Sequence, residues 1–214
     1  MLTIRKLPDY PIWHVESDDR WELAMTFLRI EEFYECPNPR FQGNIFSLEA
    51  YMDWYVQDYS KKSATYGAFT YAYDWSAFNV PGRAVRAVYE TFPAHSAKET
   101  VLFDTLRAQG AFALEQFYVI GNKRGAHAYF AHEYRHALFA LNDSYRDEMR
   151  AIIAQFAIPE LRKRILSCYA PSVLEDEIQA YALTGWPDDV AVTSEMRKLK
   201  RALKLVEKKY ITAS

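Results

Sequence analysis

Cysteine is scarce in this chain: it has only Cys36 and Cys168. Two thiols without paired spacing exclude a disulfide framework and a cysteine-rich structural zinc site. An excess of one charge is also missing. With 26 Lys and Arg against 28 Asp and Glu, the net charge is −2, so nothing global attracts nucleic acid. No apolar run is long enough to cross a bilayer. The opening stretch Met1–Asp9 lacks a secretory apolar core followed by small residues. There is no internal repeat, low-complexity tract or long linker. The expectation is a cytoplasmic protein with neither a nucleic-acid nor a membrane partner.

Half of the 214 residues are hydrophobic and a quarter are charged, which is a globular balance. The length suits a single domain over 1–214, or one domain with an appendage, and it can bury a real core. Aromatics make up 16%, with 16 Tyr and 13 Phe. Their simplest use is packing.

Histidine is scarce too, at 5 residues, yet two of them flank a glutamate in His132-Glu133-Tyr134-Arg135-His136. Positions i and i+4 share a helix face, about one turn apart. Two imidazoles held that way can grip one divalent metal. Glu133 sits beside that face, placed to take a proton from water. This is the helical zinc motif H-E-x-x-H. Its bland alternative is a pair of histidines packed against tyrosines. Residues 126–141 contain no Gly or Pro and are rich in Ala and Leu, with Gly125 before and Asn142 after, so a helix is expected there. Its apolar residues predict that it is buried.

Two histidines do not complete a zinc site; a hydrolytic site uses three protein ligands and a water. Position 139 is Phe and position 142 is Asn, so the longer metzincin pattern is absent. A downstream carboxylate is the alternative. Glu175, Asp176 and Glu177 open a segment ending at Gly185, giving a helix over about 173–184. Ser172 and Glu175 have capping-box spacing, which assigns Glu175 to the cap. Asp176 falls in the first turn, where the helix dipole favours it and solvent reaches it. Glu177 faces inward with Ala180 and Tyr181, and is the expected third ligand.

The stretch Glu177-Ile-Gln-Ala-Tyr-Ala182 resembles the E-x-x-A-D-x-A helix that carries the glutamate ligand in many gluzincin metallopeptidases. Its distance in sequence from His136 is within the range of that family. The resemblance covers these two short segments. It implies a zincin-like fold, Zn²⁺ on His132, His136 and Glu177, Glu133 as general base, and a peptide or protein substrate. The chain departs from the family pattern at Tyr181, where gluzincins commonly carry an Asp that orients a zinc histidine. A tyrosine hydroxyl can accept from an imidazole N–H, though more weakly. Tyr145, Tyr181 and His127 are the candidates for a donor to the oxyanion. A di-iron bundle also uses E-x-x-H, as in Glu133-x-x-His136, but it needs a second such pair. His14, His95 and His127 lack the glutamate.

Elsewhere the pattern predicts a strand over 10–16 and a helix from the caps Ser17, Asp18 and Asp19 to about Cys36, stopped by Pro37 and Pro39. Ser47 caps a helix through Tyr59. Alternating aromatics predict a strand over 65–75. Pro81 opens a helix, and a Ser96–Glu99 capping box opens the next. A strand over 116–121 leads into the metal helix. The class is α+β, mainly helical, with a small and mostly antiparallel sheet. Two places suggest substrate contacts. The 116–121 strand carries Tyr118 and could hold an extended peptide if it lies at an edge; an ordinary central strand is the competing reading. The 73–82 loop carries Trp75 and Asn79. Residues 195–210 form a basic amphipathic helix, docked by its apolar stripe or, less simply, turned to an anionic partner. The expected function is a zinc-dependent hydrolase, foremost a metallopeptidase. The alternatives are a non-catalytic protein with a structural zinc, or an amidase or esterase on a non-peptide substrate.

Overall fold

The computed structural model describes residues 1–59 and 67–211. The chain forms two compact units, Met1–His127 and Ala128–Ser214.

In the first unit the described residues form a four-stranded sheet in the order β1-β2-β4-β3. The strands are β1 (Thr3–Lys6), β2 (Ile12–Ser17), β3 (Ala77–Pro81) and β4 (Tyr118–Lys123). β1 pairs antiparallel with β2, and β3 with β4; β2 and β4 pair in parallel, with Ile12 opposite Tyr118. The sheet is therefore mixed. β4 is flanked on both sides, so it offers no free edge for a substrate strand. The central position explains why its residues 118–122 are buried and apolar or small. Gly121 is required by close approach: a Cβ there would lie 2.4 Å from the Phe27 ring.

Helix α1 (Arg20–Glu35) starts where Asp19 accepts from the Trp21 amide at 2.8 Å. It stops at Cys36, whose extended backbone (ψ 132°) is what a residue before proline adopts. Ser47 caps α2 (Leu48–Trp54), which runs on as a π-helical turn, Tyr55–Tyr59. Helices α4 (Gly82–Thr91) and α5 (Ala97–Ala108) follow, the latter with the complete Ser96–Glu99 capping box.

The aromatic strand expected over 65–75 is not formed. Residues 65 and 66 lie outside the described residues, and Tyr71–Asp74 is a helical turn, α3. Thr70 Oγ1 donates to Asp74 Oδ2 at 2.9 Å across that turn. The alternation marked aromatic packing instead. Phe69 stacks on Tyr71 with centroids 6.0 Å apart, and Tyr71 meets Tyr51, Tyr55 and Phe78. The true strand lies just downstream at β3, where Phe78 and Val80 point inward.

The described part of the second unit is helical. It contains α6 (His127–Leu141, its first residue in the first unit), α7 (Asp143–Ile153), α8 (Pro159–Leu166), α9 (Leu174–Thr184) and α10 (Ser194–Tyr210). α10 packs on α7 and α9 through Met196, Leu199, Leu203 and Val206. Its basic side chains face outward or form ion pairs: Lys198 Nζ meets Glu195 on the same helix at 2.7 Å, and Lys209 Nζ meets Glu148 of α7 at 2.5 Å. Among the described residues no helix is long and apolar enough to cross a membrane. Both cysteines are free. Burial, then the Glu32 carboxylate, push the Cys36 thiol up to about 12, which makes it inert.

Candidate metal centre

Helices α6 and α9 supply the site. Only the later part of α6 is buried, from His136 to Phe139, while Tyr129 is half exposed. The helix is thus buried over this later stretch only, not throughout as its composition suggested. The histidines lie where burial begins: His132 is half-buried and His136 is 5% exposed. Their rings sit 4.9 Å apart at 72°.

α9 begins differently from the sequence expectation. Ala170 is extended, as the residue before a proline prefers, and Pro171–Val173 form a 3₁₀ turn. The first α-helical residue is therefore Leu174, and its N-cap Val173 makes no side-chain cap. The Ser172–Glu175 capping box does not form. Glu175 instead lies 3.9 Å from Arg162 Nη1. Glu177 faces inward and is 7% exposed. The predicted helix end at Gly185 is where α9 stops.

His132, His136 and Glu177 come together, with one ligand-type atom from each lying within 4.8 Å of the others. Glu177 Oε1 is 3.9 Å from His136 Nε2. A tetrahedral zinc with metal–nitrogen bonds of about 2.0–2.1 Å needs ligand atoms about 3.3 Å apart. Side-chain adjustment of about 1 Å closes the difference.

Hydrogen bonding decides which nitrogens face the shared space. Thr184 Oγ1 donates to Ala180 O at 2.7 Å, so its proton is used. At 3.0 Å from His132 Nδ1 it therefore accepts, placing the His132 proton on Nδ1 and the lone pair on Nε2. His136 Nδ1 donates to Asp176 Oδ1 at 2.9 Å, leaving Nε2 toward Glu177. Both rings thus present Nε2, each held from behind, as metal-binding imidazoles commonly are. The donor set fits a zinc-type ion.

The orienting groups differ from those expected. Tyr181 does not bond either imidazole; its ring packs edge-on against His132 at 4.9 Å. Thr184 and Asp176 hold the histidines instead. Asp176 is not the solvated dipole partner its first-turn position suggested. Thr184 is legible in hindsight, because it lies seven residues after Glu177 on the same helix face. Asp176 was hidden by the capping register assigned to Ser172.

Electrostatics separate the two histidines. Burial, then the neighbouring His136 and Arg135, lower His132 to about 3. Burial also opposes charge on His136, but Asp176, by charge and hydrogen bond, with Glu177 and Glu133, outweighs it and lifts the ring to about 10. His136 thus lies among three carboxylates, a setting that favours a metal cation.

Glu133 is half-buried, and its charge reaches both His136 and Tyr169. Tyr169 was not singled out from sequence. Its hydroxyl is 3.3 Å from the Tyr181 hydroxyl. Although Tyr169 is 39% exposed, desolvation of its hydroxyl, then the Glu177 carboxylate, push its acidity below that of an ordinary phenol. No simple spacing rule connects it to the motif, since it precedes α9 in an irregular stretch. Of the other donors considered, Tyr145 is fully buried and donates to Gln179 Oε1 at 2.9 Å. That role faces the core, not a substrate. His127 belongs to the first unit.

No protein-family model, curated protein or solved structure matches this chain. The reading of the site therefore rests on its own residues.

The residues considered for substrate contact, Tyr118, Asn79 and Trp75, all lie in the first unit. Tyr118 Oη donates to Asn79 Oδ1 at 2.6 Å, a bond between neighbouring strands. Trp75 is 43% exposed and sits edge-on to Tyr71 at 6.3 Å.

Proposed function

We propose that the chain is a zinc-dependent hydrolase using a glutamate general base, with a peptide or protein as the foremost substrate. The observation that carries this is the convergence of His132, His136 and Glu177, with both imidazoles held so that Nε2 faces inward. A zinc ion bound there supplies an acidified water and a polarised carbonyl. Glu133, beside the triad, takes the proton of the attacking water and returns it to the leaving nitrogen. In this reading one of the Tyr169 and Tyr181 hydroxyls, which lie 3.3 Å from each other, donates to the developing oxyanion. Asp176 and Thr184 keep the imidazoles in the required tautomer.

The choice of peptide, and of a zincin-like fold, follows from the gluzincin resemblance of the two short segments. An amide or ester outside peptides would use the same residues, because the motif sets how water is activated and not which carbonyl is attacked. Metal analysis of purified protein tests the reading first: about one zinc per chain is expected for a three-ligand site. Glu133→Gln then separates enzyme from structural site. Hydrolysis of a peptide library should fall by about 10²–10⁴-fold with zinc retained. Zinc-free protein with an intact fold sinks the proposal. Full activity in Glu133→Gln removes the general base from it.

A further inference from the structure

The geometry points to Tyr145 and Gln179 as positioning residues for the metal site, acting through Asp176 on His136. This rests on the metal reading above and extends it into the core. Tyr145 and Gln179 are both 0% exposed. The Tyr145 hydroxyl donates to Gln179 Oε1 at 2.9 Å, and Gln179 Nε2 donates to Asp176 Oδ1 at 3.0 Å. The same Oδ1 accepts from His136 Nδ1 at 2.9 Å.

The chain of bonds has one possible polarity. Turning the Gln179 amide over would set its oxygen against the Asp176 carboxylate, acceptor on acceptor. In the observed sense two donors converge on one carboxylate oxygen. That fixes the plane of the Asp176 carboxylate, which in turn fixes the His136 ring and its Nδ1 proton. Nε2 is then committed to the Glu177 side. α7 contributes the tyrosine and α9 the amide and the carboxylate, so helix packing sets the ring of a residue on α6.

A core polar pair can also exist for stability alone, since burying an amide and a hydroxyl requires that they bond. The two roles differ in what they move. A purely structural pair affects melting and leaves the ligand set alone. A positioning pair changes metal affinity and ligand field, with typical outer-shell losses of about 10–100-fold.

The test is zinc affinity of the full chain against a competing chelator, with the absorption spectrum of the Co²⁺-loaded protein and thermal melting alongside. Asp176→Asn is expected to weaken zinc by about 10–100-fold. Gln179→Leu is expected to weaken it by about 10-fold and Tyr145→Phe by about 3-fold, fading with each bond from the ring. Each should shift the Co²⁺ bands. The Tyr145→Phe loss should vanish in an Asp176→Ala background, because its route to the metal is cut. Tyr145→Phe deletes one oxygen, so it keeps the test available if Gln179→Leu fails to fold. Unchanged zinc affinity and Co²⁺ spectrum in a folded Tyr145→Phe protein, with only a lower melting temperature, would overturn the inference. So would an undiminished Tyr145→Phe loss in the Asp176→Ala background. A wild-type protein that takes up no zinc overturns the metal reading itself, a distinct result.

Discussion

Arg29 in the first unit and His136 in the second are both buried nitrogen-bearing side chains facing carboxylates, and their surroundings differ in one telling way. The Arg29 guanidinium forks onto Glu99: Nε donates to Oε1 at 2.7 Å and Nη2 donates to Oε2. Nη2 also reaches Ala94 O at 3.0 Å, and Glu99 takes the Ser96 amide at 2.7 Å. One positive charge meets one negative charge, and the bonds turn inward on each other. His136 instead has Asp176, Glu177 and Glu133 around a single ring. Its outer nitrogen is satisfied from behind, while its inner nitrogen shares a space with His132 and Glu177. Negative charge exceeds positive, and ligand atoms converge. A closed buried pair is a structural device; an acidic excess around converging nitrogens is a place for a cation.

The strongest way to break this contrast is to remove a converging atom. His136→Ala or Glu177→Gln should weaken zinc by more than about 100-fold, beyond the usual outer-shell range. Equilibrium dialysis with metal analysis measures it. If both variants keep wild-type affinity, the convergence has no bearing on metal.

The closed pair should respond in the opposite currency. Arg29→Ala strands Glu99 in the core and should cost about 3–5 kcal/mol in unfolding free energy. Chemical denaturation reads that loss, and zinc per folded chain should stay unchanged. A matching fall in zinc content would erase the distinction.

The pH response sharpens the comparison. His136 is raised from 6.5 to about 10 in the fold, so its contribution is complete below pH 6.5 and is lost as pH rises through about 10. His132 is lowered from 6.5 to about 3. There the unfolded chain binds the proton more readily, so stability falls as pH drops from 6.5 toward 3. The metal-free protein should melt at its highest temperature near pH 6.5, as far as these two groups govern. Saturating zinc, which needs both rings deprotonated at the ligand nitrogen, should flatten the alkaline fall. A metal-free melting curve that does not change between pH 6.5 and 9.5 contradicts this.

The smallest effect is expected at Glu175. It lies 3.9 Å from Arg162, half-buried and away from the triad. Glu175→Gln should change zinc affinity by less than about 2-fold, as surface pairs contribute little. A large loss would mean that Glu175, not Glu177, is the carboxylate that matters.

Local chemistry made much of the chain readable. Asp19, Ser47 and the Ser96–Glu99 box act where a short polar side chain meets free helix amides, a rule that needs no tertiary knowledge. The same holds for the i, i+4 placement of His132 and His136 on one helix, and for Glu177 on the inward face of α9. The aromatic alternation over 65–75 misled because packing of Phe69 and Tyr71 against a cluster imitates the period of a strand.

The sequence by itself determined that two histidines share a helix face beside a glutamate, and that a second helix turns Glu177 inward. Both follow from a helix repeat that covalent geometry imposes on any such run. Only the tertiary structure decided which groups stand behind the ligands. Asp176 and Thr184, rather than Tyr181, hold the two histidines. The Tyr145–Gln179 bonds join residues on different helices. β4 lost its edge to β2 and β3. Each of these depends on how elements distant in sequence meet, and no local pattern records that.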